Sequence, residues 1–266
     1  MRVSVTALDR LRSDPYQFYA GSILRLKELD SLDAEPSPAW RGEVAHTILE
    51  RWHKGEGALA ELAADELRQM NAHPLMRALW RPRLLKALEW VEARLAAEPG
   101  RVPAAIEDWG EIEVKGIKVF GKADRIDRLP DGTLAVVDYK TGAPPSGREV
   151  EAGYALQLGT LGLMARAGAF EKAQGEPARF EYWSLGSSKT SETGFGYITT
   201  PIREGNKRTG IPAEEFLPRA EQYLHEALEL WILGDAPFTA RLNPDAPGYS
   251  TYDQLMRLEE WVGREG

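Results

Sequence analysis

Residues 117–140, IKVFGKADRIDRLPDGTLAVVDYK, decide how the chain is read. They divide into two strands, 117–129 and 133–140, joined by Pro130-Asp131-Gly132, a strong hairpin signal. A strand over 111–114 precedes them, which makes an antiparallel meander. With Leu129 opposite Thr133, the register sets Asp124 across from Asp138. Cross-strand neighbours of this kind have β-carbons roughly 4.5–5.5 Å apart. Two carboxylates that close repel, and each raises the other's pKa unless a cation lies between them. A divalent metal resolves the conflict most simply.

Side chains two apart on a strand share a face, so Lys140 projects beside Asp138 while Tyr139 points the other way. A metal and an ammonium at one phosphate would activate water and offset charge building on phosphorus. Asp-x-Lys alone is equally an ordinary charged strand with a salt bridge. Its setting adds weight. Gly121 lies three residues before Asp124, and a strand glycine often marks close approach by another backbone or a ligand. Val136-Val137 predicts a buried strand that ends in charge, and Thr141-Gly142 then breaks it, leaving Lys140 at the mouth.

Upstream, a helix is predicted from about residue 40 to 53, because Val44, Ile48, Leu49 and Trp52 fall on one face. Gly42 and His46 lie off that stripe and share a flank. His46 could supply a third metal ligand and Gly42 could leave room for a nucleic-acid backbone; a polar side chain facing water is the plainer reading. Downstream, a helix over 150–167 carries Tyr154 and Gln157, either of which could touch substrate or be a partly buried polar residue. Strands over 179–185 and 196–201, a long amphipathic helix over 213–233 and a short one over 252–262 complete the pattern.

The rest of the amino-terminal part reads as helical. Tyr16, Phe18 and Tyr19 are expected as core anchors around a break at Pro15, and 30–38 as a linker. Two helical segments over 58–95 part near His73-Pro74. The second carries Arg77, Arg81, Arg83, Lys86 and Arg94 against Glu89 and Glu92, which reads most simply as a solvated face. Thr6 and Asp9 have capping-box-like spacing.

Composition narrows the classes. In 266 residues, hydrophobic side chains make up 43% and charged ones 28%, so the chain is long and apolar enough for a folded core and is not disordered. A formal charge of −8 excludes a globally basic nucleic-acid binder while leaving room for a local basic channel. The absence of cysteine removes disulfides, thiolate metal sites and cysteine nucleophiles together, so any metal must sit on oxygen and imidazole. The first residues are too polar for a signal peptide and no stretch has the apolar length of a membrane span, so a cytoplasmic protein with no membrane partner is expected.

Taken in order, Gly42-x-x-x-His46, Gly121-x-x-Asp124, Val137-Asp138-Tyr139-Lys140-Thr141-Gly142 and Gln157-Leu158 resemble the RecB-like branch of the PD-(D/E)XK nuclease superfamily. The resemblance reaches the amino-terminal Ser-x-Thr-x-Leu segment ending in Asp14-Pro15-Tyr16-Gln17-Phe18. It also takes in Pro237-Phe238-Thr239-Ala240-Arg241 and Tyr252-Asp253 near the close. Within the branch it is most similar to the carboxy-terminal nuclease domains of the AddB family, members of double-strand-break-repair helicase–nucleases, in their alphaproteobacterial form.

The resemblance implies an α/β restriction-endonuclease-like core: a central mixed sheet containing the meander, flanked by helices, with a helical amino-terminal region. It implies one nuclease domain over 1–266, with His46 in a helical part (1–105), Asp124, Asp138 and Lys140 in a sheet core (106–202), and carboxy-terminal helices (203–266). By the same resemblance His46, Asp124, Asp138 and the Tyr139 carbonyl would hold Mg²⁺ or Mn²⁺. Lys140 would be the catalytic lysine beside Asp138 and Asp124, and Gln157 would organise the site, with Gly42, Gln157 and Tyr154 toward substrate. Asp127 lies close enough to be mistaken for Asp124, but the Gly121 spacing favours Asp124.

The expected activity is a metal-dependent DNA nuclease, an exonuclease acting on a single strand or a duplex end beside a helicase partner of AddA type. A non-catalytic DNA-end-binding scaffold and a phosphohydrolase of small phosphates are the alternatives. Two departures from the family stand out. The cysteines that hold an iron–sulfur cluster in many relatives are missing, so no such cluster is expected. Leu161 stands where the glutamine motif usually continues to a tyrosine. The helicase-like part of a full AddB is not in these residues, so by the resemblance the chain is expected to be an excised or unusually short nuclease domain.

Overall fold

The computed structural model describes residues 1–27, 38–69, 74–240 and 251–256. Its centre is a six-stranded mixed sheet. The meander runs β2 (Val102–Val114), β3 (Ile117–Arg128) and β4 (Leu134–Lys140), all antiparallel. β5 (Pro177–Ser187) lies parallel to β4, and β6 (Phe195–Thr199) closes that edge antiparallel to β5. The hairpin register is the expected one: Arg125 pairs with Val137 and Arg128 with Leu134, and the Leu129 amide donates to the Thr133 carbonyl at 2.8 Å.

One strand was not foreseen. Arg2–Ser4 forms β1, parallel to β3, with Ser4 beside Phe120. β1 and β4 therefore share one edge of β3, the first pairing with 118–120 and the second with 125–128. Between them, residues 121–124 have no strand partner on that side among the described residues. Asp124 sits in this gap, and its Oδ2 accepts the Tyr139 amide at 2.8 Å where a ladder bond would otherwise run.

Helices cover both faces. On one lie α1 (Val5–Ser13), α2 (Pro15–Phe18), α6 (Gly147–Glu151), α7 (Gln157–Arg166) and α8 (Ala213–Ala227), around a core with Leu8, Phe18, Val136, Leu158 and Phe180. α2 and α8 each continue into a π turn, at 19–23 and 228–232. On the other face, α3 (Pro38–His53), α4 (Leu59–Gln69) and α5 (Pro74–Ala96) pack on Val137, Tyr139, Trp183 and Leu185. The predicted stripe of α3 is the buried one: Val44, Ile48 and Leu49 are buried and Trp52 packs against them. Phe18 is buried and stacks on Phe238, as does Tyr19, so these aromatics are core anchors. A short α9 (Asp253–Met256) ends the described residues. The expected linker lies outside them apart from Pro38, as do Arg241 and the rest of the final helix beyond Met256.

Three boundaries differ from expectation. The meander begins at Val102, so the helical part stops short of 105 and β2 is far longer than 111–114. Pro99, Gly100 and Pro103 hide its start, and its order comes from pairing with the whole length of β3. The single helix expected over 150–167 is two, because Gly153 adopts φ 74° and turns the chain between α6 and α7. The capping residue of α1 is Ser4, whose hydroxyl accepts the Ala7 amide, which leaves Thr6 and Asp9 out of a box. Among the described residues no helix is long and apolar enough to cross a membrane.

Candidate active site

The gap in the sheet edge is the centre of the site. Along β2, Ile106 pairs with Arg125 and Asp108 with Ala123, so Glu107 faces Asp124. Glu107 has φ 47°, in the left-handed region that costs a residue with a β-carbon on the order of 1–2 kcal/mol. Ala123 and Ile126 pack into the same core although strict alternation would send them to opposite faces. The break in alternation falls at Asp124, opposite the strained residue, and re-aims its carboxylate.

α3 crosses above this point and lowers His46 onto it. His46 Nδ1 lies 3.1 Å from Glu107 Oε1 and 3.5 Å from Asp124 Oδ1, while Nε2 lies 3.2 Å from the Tyr139 carbonyl oxygen. Both nearest partners accept hydrogen bonds, so the imidazole satisfies them together only by carrying two protons. Burial works against that charge, but the Glu107 hydrogen bond and the charges of Asp124 and Glu107 outweigh it and push the His46 pKa up to about 9. Glu107 is nearly enclosed, and its second oxygen is held by Lys122 at 2.5 Å.

Asp138 is buried and near enough for its charge to act on Asp124, with Lys140 Nζ 2.7 Å from its Oδ2. The same ammonium donates to Gln157 Oε1 at 3.0 Å. Burial first, and the Asp138 charge second, push the Asp124 pKa up to about 7; burial also raises Asp138, against the pull of Lys140. Two buried carboxylates lifted in this way are short of positive charge. Among the described residues, His46, Glu107 and Asp124 are the group whose donor atoms converge, all within 4.8 Å of one another.

This donor chemistry suits a hard divalent cation. Carboxylate oxygens, a carbonyl oxygen and one imidazole match Mg²⁺ or Mn²⁺, and no thiolate is available for a softer metal. The 3.2 Å between His46 Nε2 and the Tyr139 oxygen is close to the ~3 Å separating adjacent ligands in an octahedron with 2.1 Å bonds.

Sequence reasoning missed Glu107 and Asp9. Asp9 is on α1, which starts where β1 ends head-on toward β4. Its Oδ1 accepts the Leu156 amide at 2.6 Å, just ahead of Gln157, and burial pushes its pKa up to about 7. A turn of α1 facing Lys140 would have been the signal, but it requires β1, which three residues do not announce. Of the expected residues, His46, Asp124, Asp138, Tyr139, Lys140 and Gln157 come together. Gly42 lies at the rim, where an added β-carbon would meet Thr141 Oγ1 at an ordinary 3.5 Å, so packing does not demand a glycine there. Tyr154 lies in the turn after Gly153, outside α7. At Gly121 the close approach is by Val5, 2.7 Å from where a β-carbon would stand, with Leu161 at 3.2 Å; that glycine and that leucine serve the core.

Asp127 is on the opposite face, fully buried between Arg101 and Arg125. Arg125 also hydrogen-bonds the Tyr139 hydroxyl and lies 4.1 Å over the Trp183 ring, while Arg101 reaches Glu181 at 2.8 Å. This ionic cluster holds β4 from behind, and Tyr139 transmits it to the site through its backbone.

A profile of the PD-(D/E)XK nuclease superfamily matches residues 2–243. An uncharacterized protein of Rickettsia bellii is 28% identical over 182 residues, 63% of this chain and 22% of that protein. An ATP-dependent helicase/deoxyribonuclease component of Streptococcus agalactiae is 26% identical over 155 residues, 54% of this chain and 14% of that protein. The chain thus matches about a fifth or less of the length of these curated relatives. A crystal structure from Eubacterium rectale aligns with 95% of this chain and 92% of its own at a TM-score of 0.49 and 12% identity.

Proposed function

The chain belongs to the PD-(D/E)XK nuclease superfamily, and from that premise we propose that it is a Mg²⁺- or Mn²⁺-dependent deoxyribonuclease. The observation that carries this reading is the convergence of His46, Asp124 and the Tyr139 carbonyl beside the Asp138–Lys140 pair. A metal held by His46, Asp124, Asp138 and the Tyr139 carbonyl would acidify a water and offset charge on the phosphate.

The remaining work falls to the protein. Asp124 and Asp138 concentrate negative charge that a cation must answer. Lys140, held by Asp138 and Gln157, presents its ammonium where charge builds on the phosphate oxygens. Tyr139, pinned from behind by Arg125, keeps its carbonyl aimed at the site.

Exonucleolytic action in double-strand-break repair, beside a helicase partner of AddA type, is the finer reading. The similarity to the Streptococcus agalactiae protein supports it, since that protein's name joins a helicase to a deoxyribonuclease. The acidic net charge also fits a nuclease to which a partner protein delivers the strand.

The test is cleavage of end-labelled single- and double-stranded DNA with Mg²⁺, Mn²⁺ or EDTA. Metal-dependent products are expected, reduced about 100-fold or more by Lys140→Ala. Cleavage that persists unchanged in that variant, or in EDTA, would sink the mechanism.

A further inference from the structure

β4 and β5 run parallel, and the space beyond the carboxyl ends of parallel strands is where α/β sheets bind ligands. Here that space is a cavity of about 400 Å³, lined by Thr141, which follows Lys140, by Ser187 at the end of β5, by Arg41 at the start of α3, by Trp80 and Arg83 on α5, and by Phe195 on β6. Among the described residues, two arginines and no carboxylate line it, in a chain whose net charge is −8. Neither Arg41 nor Arg83 has an ion pair or side-chain hydrogen bond among the described residues. Trp80 is braced from behind by Trp40, with ring centroids 5.1 Å apart.

Unpaired guanidinium groups beside a braced aromatic ring are the chemistry that holds single-stranded nucleic acid, cations on phosphates and rings under bases. The volume is at the small end of the range for ligand sites, about 300–1,000 Å³, room for one nucleotide and far too little for a duplex. We propose that this cavity receives an unpaired nucleotide next to the scissile phosphate, with Arg41 and Arg83 on the flanking phosphates and Trp80 against the base. The inference rests on the nuclease reading, and it makes the substrate at the site a single strand.

The experiment measures anisotropy of a fluorescein-labelled oligothymidylate and of a duplex of equal length, with Mn²⁺, on a Lys140→Ala background so that the strand stays uncut. Arg41→Ala with Arg83→Ala is expected to weaken single-strand binding at least tenfold. Loss of two phosphate contacts should also reduce the slope of log affinity against log salt by about 1.4. Trp80→Leu is expected to weaken binding about tenfold with the slope unchanged, and Trp80→Phe to restore most of it. Arg83 is exposed, so its variant tests the cavity even if Trp80→Leu folds poorly.

Affinity and slope unchanged in the double arginine variant overturn the proposal, as does a parent that binds the duplex as tightly as the single strand. A parent that binds no strand on this background also overturns it. Cleavage by the Lys140 protein is scored separately: if that protein cuts while the arginine variant binds normally, only the cavity is wrong. If it cuts nothing with either metal, the nuclease reading falls and takes the cavity with it.

Discussion

Glu107 Oε1 lies 3.1 Å from His46 Nδ1, on the opposite side of the ring from the Tyr139 carbonyl at Nε2. A histidine that ligates a metal through one nitrogen usually donates the other N–H to a carboxylate, which fixes the ring and raises its basicity. Glu107 is built for that role by its left-handed φ, its burial and the Lys122 ammonium on its second oxygen. Glu107→Ala is therefore expected to weaken Mn²⁺ affinity about 10- to 100-fold. Glu107→Gln, which can still accept from Nδ1–H, should lose much less. Titration calorimetry of the two variants beside Asp124→Ala checks this. If Glu107→Gln loses as much as Asp124→Ala, Glu107 is itself a ligand.

Proton competition at the same site sets a pH dependence. The metal displaces a proton from His46, whose pKa is raised to about 9, and requires Asp124, raised to about 7, to be ionised. Both shifts have the same sign for binding: protons oppose the metal below each pKa. Mn²⁺ affinity should climb about tenfold per pH unit between pH 7 and 9, more steeply below 7, and level off above 9. Calorimetry in buffers of different ionisation enthalpy should show net proton release near pH 7. A flat affinity between pH 7 and 9 would mean that His46 is not displaced from its proton and does not ligate.

Much of this was legible because it is local. The hairpin register follows from one turn, and with it the placing of Asp124 beside Asp138 and of Lys140 on the same face. The apolar period of α3 left His46 on a flank, where it was expected. The missing part was long-range. β1 has only three residues, too few for any period, and it exists through its pairing with β3. With β1 unseen, neither the gap that aims Asp124 nor the approach of Asp9 could be read. Glu107 was hidden for a related reason, since Ala104 and Ala105 carry little strand preference and β2 is ordered by its partner.

Asp127 and Asp124, three apart on β3, separate a structural carboxylate from a site carboxylate. Asp127 lies fully buried against two guanidinium groups, and removing one member of such a cluster leaves uncompensated charge, typically costing about 3–5 kcal/mol. Asp127→Ala should lower the thermal midpoint sharply, whereas Asp124→Ala, which removes a carboxylate with a raised pKa, should cost far less stability and abolish Mn²⁺ binding. Thermal melts in EDTA with parallel metal titrations check the pair. A stable Asp127→Ala protein would show that the cluster behind Tyr139 does not hold β4.

Asp9 ties the amino-terminal helix to the site without touching the candidate metal group. Its carboxylate accepts the Leu156 amide at 2.6 Å, and the next residue, Gln157, accepts from Lys140. Leaving a buried donor unpaired costs about 1–3 kcal/mol, and here the group left unpaired is an amide ahead of α7. Asp9→Ala is expected to destabilise by about 1–2 kcal/mol and to loosen Gln157, lowering kcat about tenfold with Mn²⁺ affinity unchanged. Asp9→Asn, which keeps an acceptor oxygen for the amide, should recover both stability and rate. If Asp9→Asn stays as slow as Asp9→Ala while regaining its stability, the carboxylate acts on Lys140 through its charge rather than on Gln157 through the helix.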